Sequence, residues 1–154
     1  MNIYKTHNCG ELRLKNKGEE VRLAGWVQRI RNLGSMKFID LRDQYGITQI
    51  VVETEEVKQM ASQLVTECVI QVEGTVVERS NKNSKMPTGE IEVIANHITV
   101  LGKCKNTLPF EVDTNQEVRE DLRLEYRFLD LRNEGLHNNI LLRSSIMKSL
   151  RGKM

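Results

Sequence analysis

Cysteine is too sparse and too badly spaced here to hold the fold together or to bind metal. Three occur in 154 residues, Cys9, Cys68 and Cys104, with no C-x-x-C pair. An odd, scattered count argues against a disulfide framework and fits reduced thiols in a cytoplasmic protein. His7, His97 and His137 are equally dispersed, so no metal ligand set is readable and none is expected. Long apolar runs are missing too. Nothing approaches the roughly 18 residues of a membrane span, and the first 20 residues carry charges where a secretory signal would need an apolar core. No membrane partner is expected. A one-sided charge is absent as well. Lys and Arg number 23 against 21 Asp and Glu, a net charge of +2, whereas a general polyanion binder would be far more basic. Any contact with nucleic acid must therefore be a local, defined patch.

What the chain does have is a stretch of three consecutive strand patterns, residues 24–52, AGWVQRIRNLGSMKFIDLRDQYGITQIVV. Turns are expected at Asn32-Leu33-Gly34-Ser35 and Asp43-Gln44-Tyr45-Gly46, each with a glycine free to take positive φ. Between them, Ile39 and Leu41 alternate with Phe38, Asp40 and Arg42, the period of a half-buried strand. The face opposite Ile39 and Leu41 is unusual. It offers the Phe38 ring, Arg29 and Arg31 from the preceding strand, and Gln49 from the following one. A ring, guanidinium groups and an amide on an open sheet face suit single-stranded bases, through stacking, phosphate pairing and edge reading.

The rest of the chain fits around this stretch. Residues 1–18 read as a lead-in with one helical turn near 9–12. A first strand is expected over 19–30, with Val21, Leu23 and Val27 inward and Gly25 marking a bulge or bend. Trp26 is more simply a core or rim anchor than a base stacker. Thr54 can cap a short helix whose Val57, Met60, Ala61 and Leu64 form one apolar stripe. Strands are expected over 68–79, kinked at Gly74, and 90–101, broken near Asn96-His97, with a polar loop at 80–89 between them. Three strands, a helix and two strands make a mainly β fold, a five-stranded Greek-key OB barrel with one helix between strands 3 and 4. Such barrels bind oligonucleotides around their second and third strands. Residues 102–121 lack periodicity and read as a linker. A helix then opens at Asn138 or Asn139 and runs to Met154, with Leu142, Ile146, Leu150 and Met147 on its apolar side. That stripe needs a partner, so the chain is expected to stop inside a second domain.

The segments GWVQRIRNLGSMKFIDLRD, YGITQIVV, IQVEGTV, TGEIEV and LRLEYRFLDLR closely resemble the N-terminal part of bacterial-type aspartyl-tRNA synthetases, from about Thr6 onward. The resemblance implies an anticodon-binding barrel over residues 1–103, a hinge over 104–125 and the start of a class II catalytic domain over 126–154. It implies tRNA as partner, a homodimer for the full-length enzyme, and ATP with Mg as that enzyme's cofactors. It implies no catalytic residue and no cofactor site in this stretch. Phe38 matches the phenylalanine that stacks on the middle anticodon base. Arg31 matches an arginine that contacts the anticodon, Arg29 its partner on the same strand, and Gln49 a glutamine that reads a base edge. Glu92 matches a glutamate near the first or third anticodon base, and Asn83 is a weaker match in a shortened loop. Val51 departs from the family, where many members carry an aromatic residue.

Plainer readings stand beside these. Arg29 and Arg31 read equally well as solvated strand charges, and Glu92 alone as a solvent-facing acid. Asp40, Arg42 and Asp43 read as a cross-strand charge network, since no nucleophile lies near them in sequence. The lysyl- and asparaginyl-type synthetases share the barrel. A free-standing OB single-strand binder is the third reading, against which the hinge and the LRLEYRFLDLR segment argue.

Overall fold

The computed structural model describes residues 3–105, 108–112 and 117–153. Parts of the expected linker, 106–107 and 113–116, and the expected end of the last helix at Met154 lie outside the described residues. The chain divides into two compact units, Met1–Lys105 and Asn106–Met154.

The first unit is a closed barrel of five strands: β1 (Glu20–Leu33), β2 (Met36–Asp43), β3 (Gly46–Val52), β4 (Val69–Glu78) and β5 (Ile91–Gly102). Around the barrel they run β1-β2-β3-β5-β4. The β3–β5 pairing is parallel and the others are antiparallel. Helix α1 (Glu55–Met60) and a 3₁₀ turn (Ala61–Gln63) lie between β3 and β4. This is the five-stranded OB barrel expected from the element order.

The interior is filled by the inward half of each alternating strand, including Leu23, Val27, Ile39, Leu41, Ile50, Ile70, Val72 and Val93, each with no exposed surface. The stripe of α1 closes one end as expected: Val57, Ala61 and Leu64 are buried and Met60 packs against them. Thr54 occupies the N-cap position but makes no side-chain cap bond. The lead-in is more than a preface. Cys9 and Leu12 are fully buried in the same core. The helical turn lies at Leu14–Asn16 rather than near 9–12, where the chain makes only a turn.

Two irregularities differ from expectation, and both have physical causes. The bulge of β1 is at Gln28, where the register with β2 shifts between Val27 and Arg29. Gly25 is instead where β1 passes from β4 to β2. A Cβ there would lie 2.2 Å from the Arg42 carbonyl oxygen, so only glycine fits this corner. At Asn96-His97 strand β5 does not break. It bulges, because Glu73 pairs with His97 while Gly74 pairs with Ala95.

The second unit contains α2 (Glu120–Glu125), α3 (Arg127–Asp130) and α4 (Glu134–Lys153). Helix α2 begins inside the stretch expected as linker. Helix α4 starts four residues earlier than Asn138, where Asn133 Oδ1 accepts a bond from the Leu136 N–H. In LRLEYRFLDLR the buried Asp130 carboxylate accepts from Arg123 Nε at 2.9 Å and Arg127 Nη1 at 2.6 Å. No residue of α4 is buried, and Leu142, Ile146 and Leu150 are each more than half exposed.

Candidate nucleic-acid interface

The bulge at Gln28 decides what the outer face of β1 presents. Before it, the odd positions Val21, Leu23 and Val27 point inward. After it, Ile30 opposes Ile39 and packs on the core. Inserting one residue exchanges the two faces. Unbroken alternation from Val21 would have aimed Arg29 and Arg31 at the core; the bulge turns them outward. Arg29 then sits across from Asp40, and Arg31 across from Phe38.

Strand β2 hands the same face to β3, where Asp40 opposes Gln49 and Phe38 opposes Val51. The outer face therefore carries two rows, Arg29-Asp40-Gln49 and Arg31-Phe38-Val51. Phe38 is half-buried and lies outside the core cluster. Val51, also outside that cluster, is covered to 2% exposure, so the outer row holds a single ring. The ring of Trp26, on the other half of β1, has the Arg42 guanidinium 5.9 Å from its centroid. A cavity of about 340 Å³ beside it is lined by Tyr4, Trp26, Val69 and Leu101, none of them residues of the two rows.

Hydrogen bonds join the polar members into one chain. Arg31 Nη2 donates to Asp40 Oδ1 at 2.7 Å and to Gln49 Oε1 at 3.1 Å. Gln49 Nε2 donates to Glu92 Oε2 at 2.8 Å. Glu92 stands on β5, next to β3 in the barrel. Gln49, only 4% exposed, has its amide orientation fixed by an arginine on one side and a carboxylate on the other. Glu92 keeps acceptor capacity beyond the bond that its Oε2 accepts from Gln49. Arg31 keeps its Nη1 hydrogens, and its solvent-shielded Nε has no partner. Arg29 is exposed and makes no ion pair among the described residues.

Five of the six residues singled out in the sequence thus share one surface. Asn83 lies in the loop between β4 and β5. Its side chain accepts from the Lys85 N–H and shapes its own loop. The expected single network of Asp40, Arg42 and Asp43 is three separate pairings. Asp40 bonds Arg31, Arg42 bonds Glu67 at 2.8 Å, and Asp43 bonds Lys5 at 3.2 Å. Strand twist and the hairpin turn send alternate residues of β2 to different neighbours. Asp40 lies on the face that the alternation of β2 assigns it, opposite Arg29 and Gln49.

A closed five-stranded barrel with a ring, arginines and a buried amide on its β1–β2–β3 face defines a nucleic-acid-binding OB domain. The family model described as OB-fold nucleic acid binding domain, of the tRNA anticodon type, matches residues 21–101, and the chain belongs to that family. It is 49% identical to the aspartate–tRNA(Asp/Asn) ligase of Rickettsia felis over all of its length, covering 26% of that protein. It is 47% identical to the aspartate–tRNA ligase of Streptomyces coelicolor, again over its whole length and 27% of the other. The chain spans about a quarter of the length of these curated relatives. Among solved structures, asparaginyl-tRNA synthetase of Pyrococcus horikoshii superposes with a TM-score of 0.79 at 29% identity, over 98% of this chain and 34% of that one.

Proposed function

We propose that this barrel recognises the anticodon of a tRNA on behalf of an aspartyl-tRNA synthetase, which attaches aspartate to its tRNA using ATP. The observation that carries the reading is the continuous chain Asp40–Arg31–Gln49–Glu92 beside Phe38 on the outer face. Phe38 stacks on a base. Gln49 and Glu92 present a fixed pattern of donor and acceptor to base edges, and Arg29 supplies charge toward the backbone. Nearly 50% identity over the whole chain to aspartate–tRNA ligases favours this parent over a lysyl or asparaginyl enzyme and over a free-standing binder.

In the whole enzyme, residues 104–125 serve as hinge and 126–154 begin the catalytic domain; the boundary between compact units after Lys105 supports the start of that hinge. The exposed apolar side of α4 supports a homodimer in the full-length protein. ATP and Mg belong to that larger enzyme. Among the described residues no three His, Cys, Asp or Glu side chains converge as a metal site needs, and no step here is routed through either group. No helix among the described residues is long and apolar enough to cross a membrane, and we place the enzyme in the cytoplasm with the tRNA it serves.

The test is equilibrium binding of the chain to stem-loop RNAs. A loop with the aspartate anticodon GUC should bind more tightly than loops in which each anticodon base is changed in turn. Equal binding of the whole panel would overturn anticodon recognition.

A further inference from the structure

Asp40 has no part in the roles assigned above beyond holding Arg31, yet its geometry bears on what Arg31 can do. We propose that Asp40 is a positioning residue that makes Arg31 a reader of base edges and prevents it from acting as a phosphate anchor. The inference rests on the anticodon reading and deepens it.

Three observations carry it. First, Asp40 lies 2.7 Å from Arg31 Nη2, with its own side chain 18% exposed against 39% for Arg31. An approaching phosphate meets a neutral ion pair rather than a free cation. Second, both hydrogens of Nη2 are spent, one on Asp40 and one on Gln49. The guanidinium plane is pinned at two points, and Nη1 is left to donate in a fixed direction. A base edge requires that fixed geometry, whereas a phosphate tolerates many. Third, Arg29 stands across the same strand pair, opposite Asp40, exposed and without an ion pair among the described residues. Two arginines two residues apart therefore have different work, Arg29 on the backbone and Arg31 on the bases.

The experiment compares Arg29→Ala, Arg31→Ala, Asp40→Asn and the Arg31→Ala/Asp40→Asn double variant. Each is titrated with the GUC stem-loop and the single-base-changed panel over a range of salt. Asp40→Asn keeps an acceptor and removes the charge; thermal melting and circular dichroism check that each variant is folded. Arg29→Ala should reduce the slope of log K against log salt by about 0.7, the value of one phosphate on a single strand. Arg31→Ala should leave the slope in place and lower discrimination across the panel by about fivefold or more, the low end for a base-edge contact. Asp40→Asn should steepen the slope by about 0.7 as Arg31 is freed toward phosphate, and discrimination should fall with it. Both effects should vanish in the Arg31→Ala background.

If Asp40→Asn changes neither slope nor discrimination while Arg31→Ala lowers discrimination, Asp40 does not position Arg31 and the inference fails alone. If its effects persist without Arg31, Asp40 acts through general charge and the inference also fails. If wild type shows no discrimination at all, the anticodon reading itself has failed. Should Asp40→Asn unfold, Asp40→Glu supplies the second arm. It retains the charge and is expected to keep the wild-type slope; a steepened slope in Asp40→Glu would overturn the proposal.

Discussion

Replacing Phe38 by alanine is the sharpest test of the recognition surface. The ring stands between Arg31 on one side and Val51 on the other, on the outer face of three paired strands. Its removal should not endanger the barrel. Phe38 is half-buried and outside the core cluster, so the loss of burial is about 1 kcal/mol, roughly half that of a fully buried ring. Binding should suffer more. Base-on-aromatic stacking is worth about 1–3 kcal/mol, equivalent to about 5- to 150-fold in Kd. Val51 contributes no ring, and Arg42 lies against Trp26, the one aromatic side chain of β1, so the loss has no ready substitute. The assay is fluorescence anisotropy of a labelled GUC stem-loop at several salt concentrations, with Phe38→Tyr as the variant that retains a ring. Affinity should drop for Phe38→Ala, hold for Phe38→Tyr, and keep its salt slope in both, since no phosphate contact is lost. An unchanged Kd for Phe38→Ala would mean that bases do not stack on this face.

Glu67→Ala should destabilise the barrel by about 3–5 kcal/mol in urea titration, because it leaves the buried Arg42 guanidinium without its carboxylate partner; a loss under 1 kcal/mol would show that solvent reaches Arg42. The chain cut after Lys105 should fold and bind the GUC stem-loop as well as the full chain, since the first compact unit ends there, and an unfolded circular dichroism spectrum would refute this. Amide exchange should be faster along α4, which buries no residue, than along α1, which buries Val57; slow exchange in α4 would reveal a second copy or another surface covering it. Burial pushes the Cys9 thiol up and keeps it protonated near neutral pH. Alkylation of the native chain should therefore reach the partly exposed Cys104 well before Cys9, and early modification of Cys9 by mass spectrometry would contradict its burial.

Much of this architecture is legible in the residues. Alternation in β2 and β4, the spacing of Val57, Met60, Ala61 and Leu64, and the glycines of the two hairpins prescribe strands, helix and turns through local geometry alone. Gly34, with φ of 60°, and Gly46, with φ of 152°, sit in the turns as their residue types suggest. Phe38 and Gln49 could be placed on one face because each neighbours an apolar residue of known direction, whereas Arg31 reaches that face only through the bulge at Gln28. The bulges resisted reading. An extra residue leaves no compositional mark at Gln28, and at Asn96-His97 the residues signal an irregularity without showing that it is a bulge, because its form depends on how strands pair across the barrel. Glu67 was equally silent: it holds φ of 63° while its carboxylate bonds Arg42 on β2, a contact 25 residues distant in sequence. Asp40 is readable as a neighbour of Arg29 and Gln49 but not as the partner of Arg31, which pairs with Phe38 in the register and reaches Asp40 diagonally.

The extra residue in β1 also bears on how this surface can change over time. The strand is written in two frames, one ending at Val27 and the other beginning at Arg29, and Gln28 is the space between them. Removing Gln28 would let Val27 and Arg29 meet Leu41 and Asp40 as consecutive pairs, the partners they already have. Chain length can therefore drift at that one point without disturbing either inscription. A single-residue loss between Arg29 and Leu33 has no such refuge, because it shifts the second frame against Phe38 and Asp40. Length variation among related barrels should collect at the gap and be purged on its far side, and the hairpin beyond it can be exchanged between barrels as a unit.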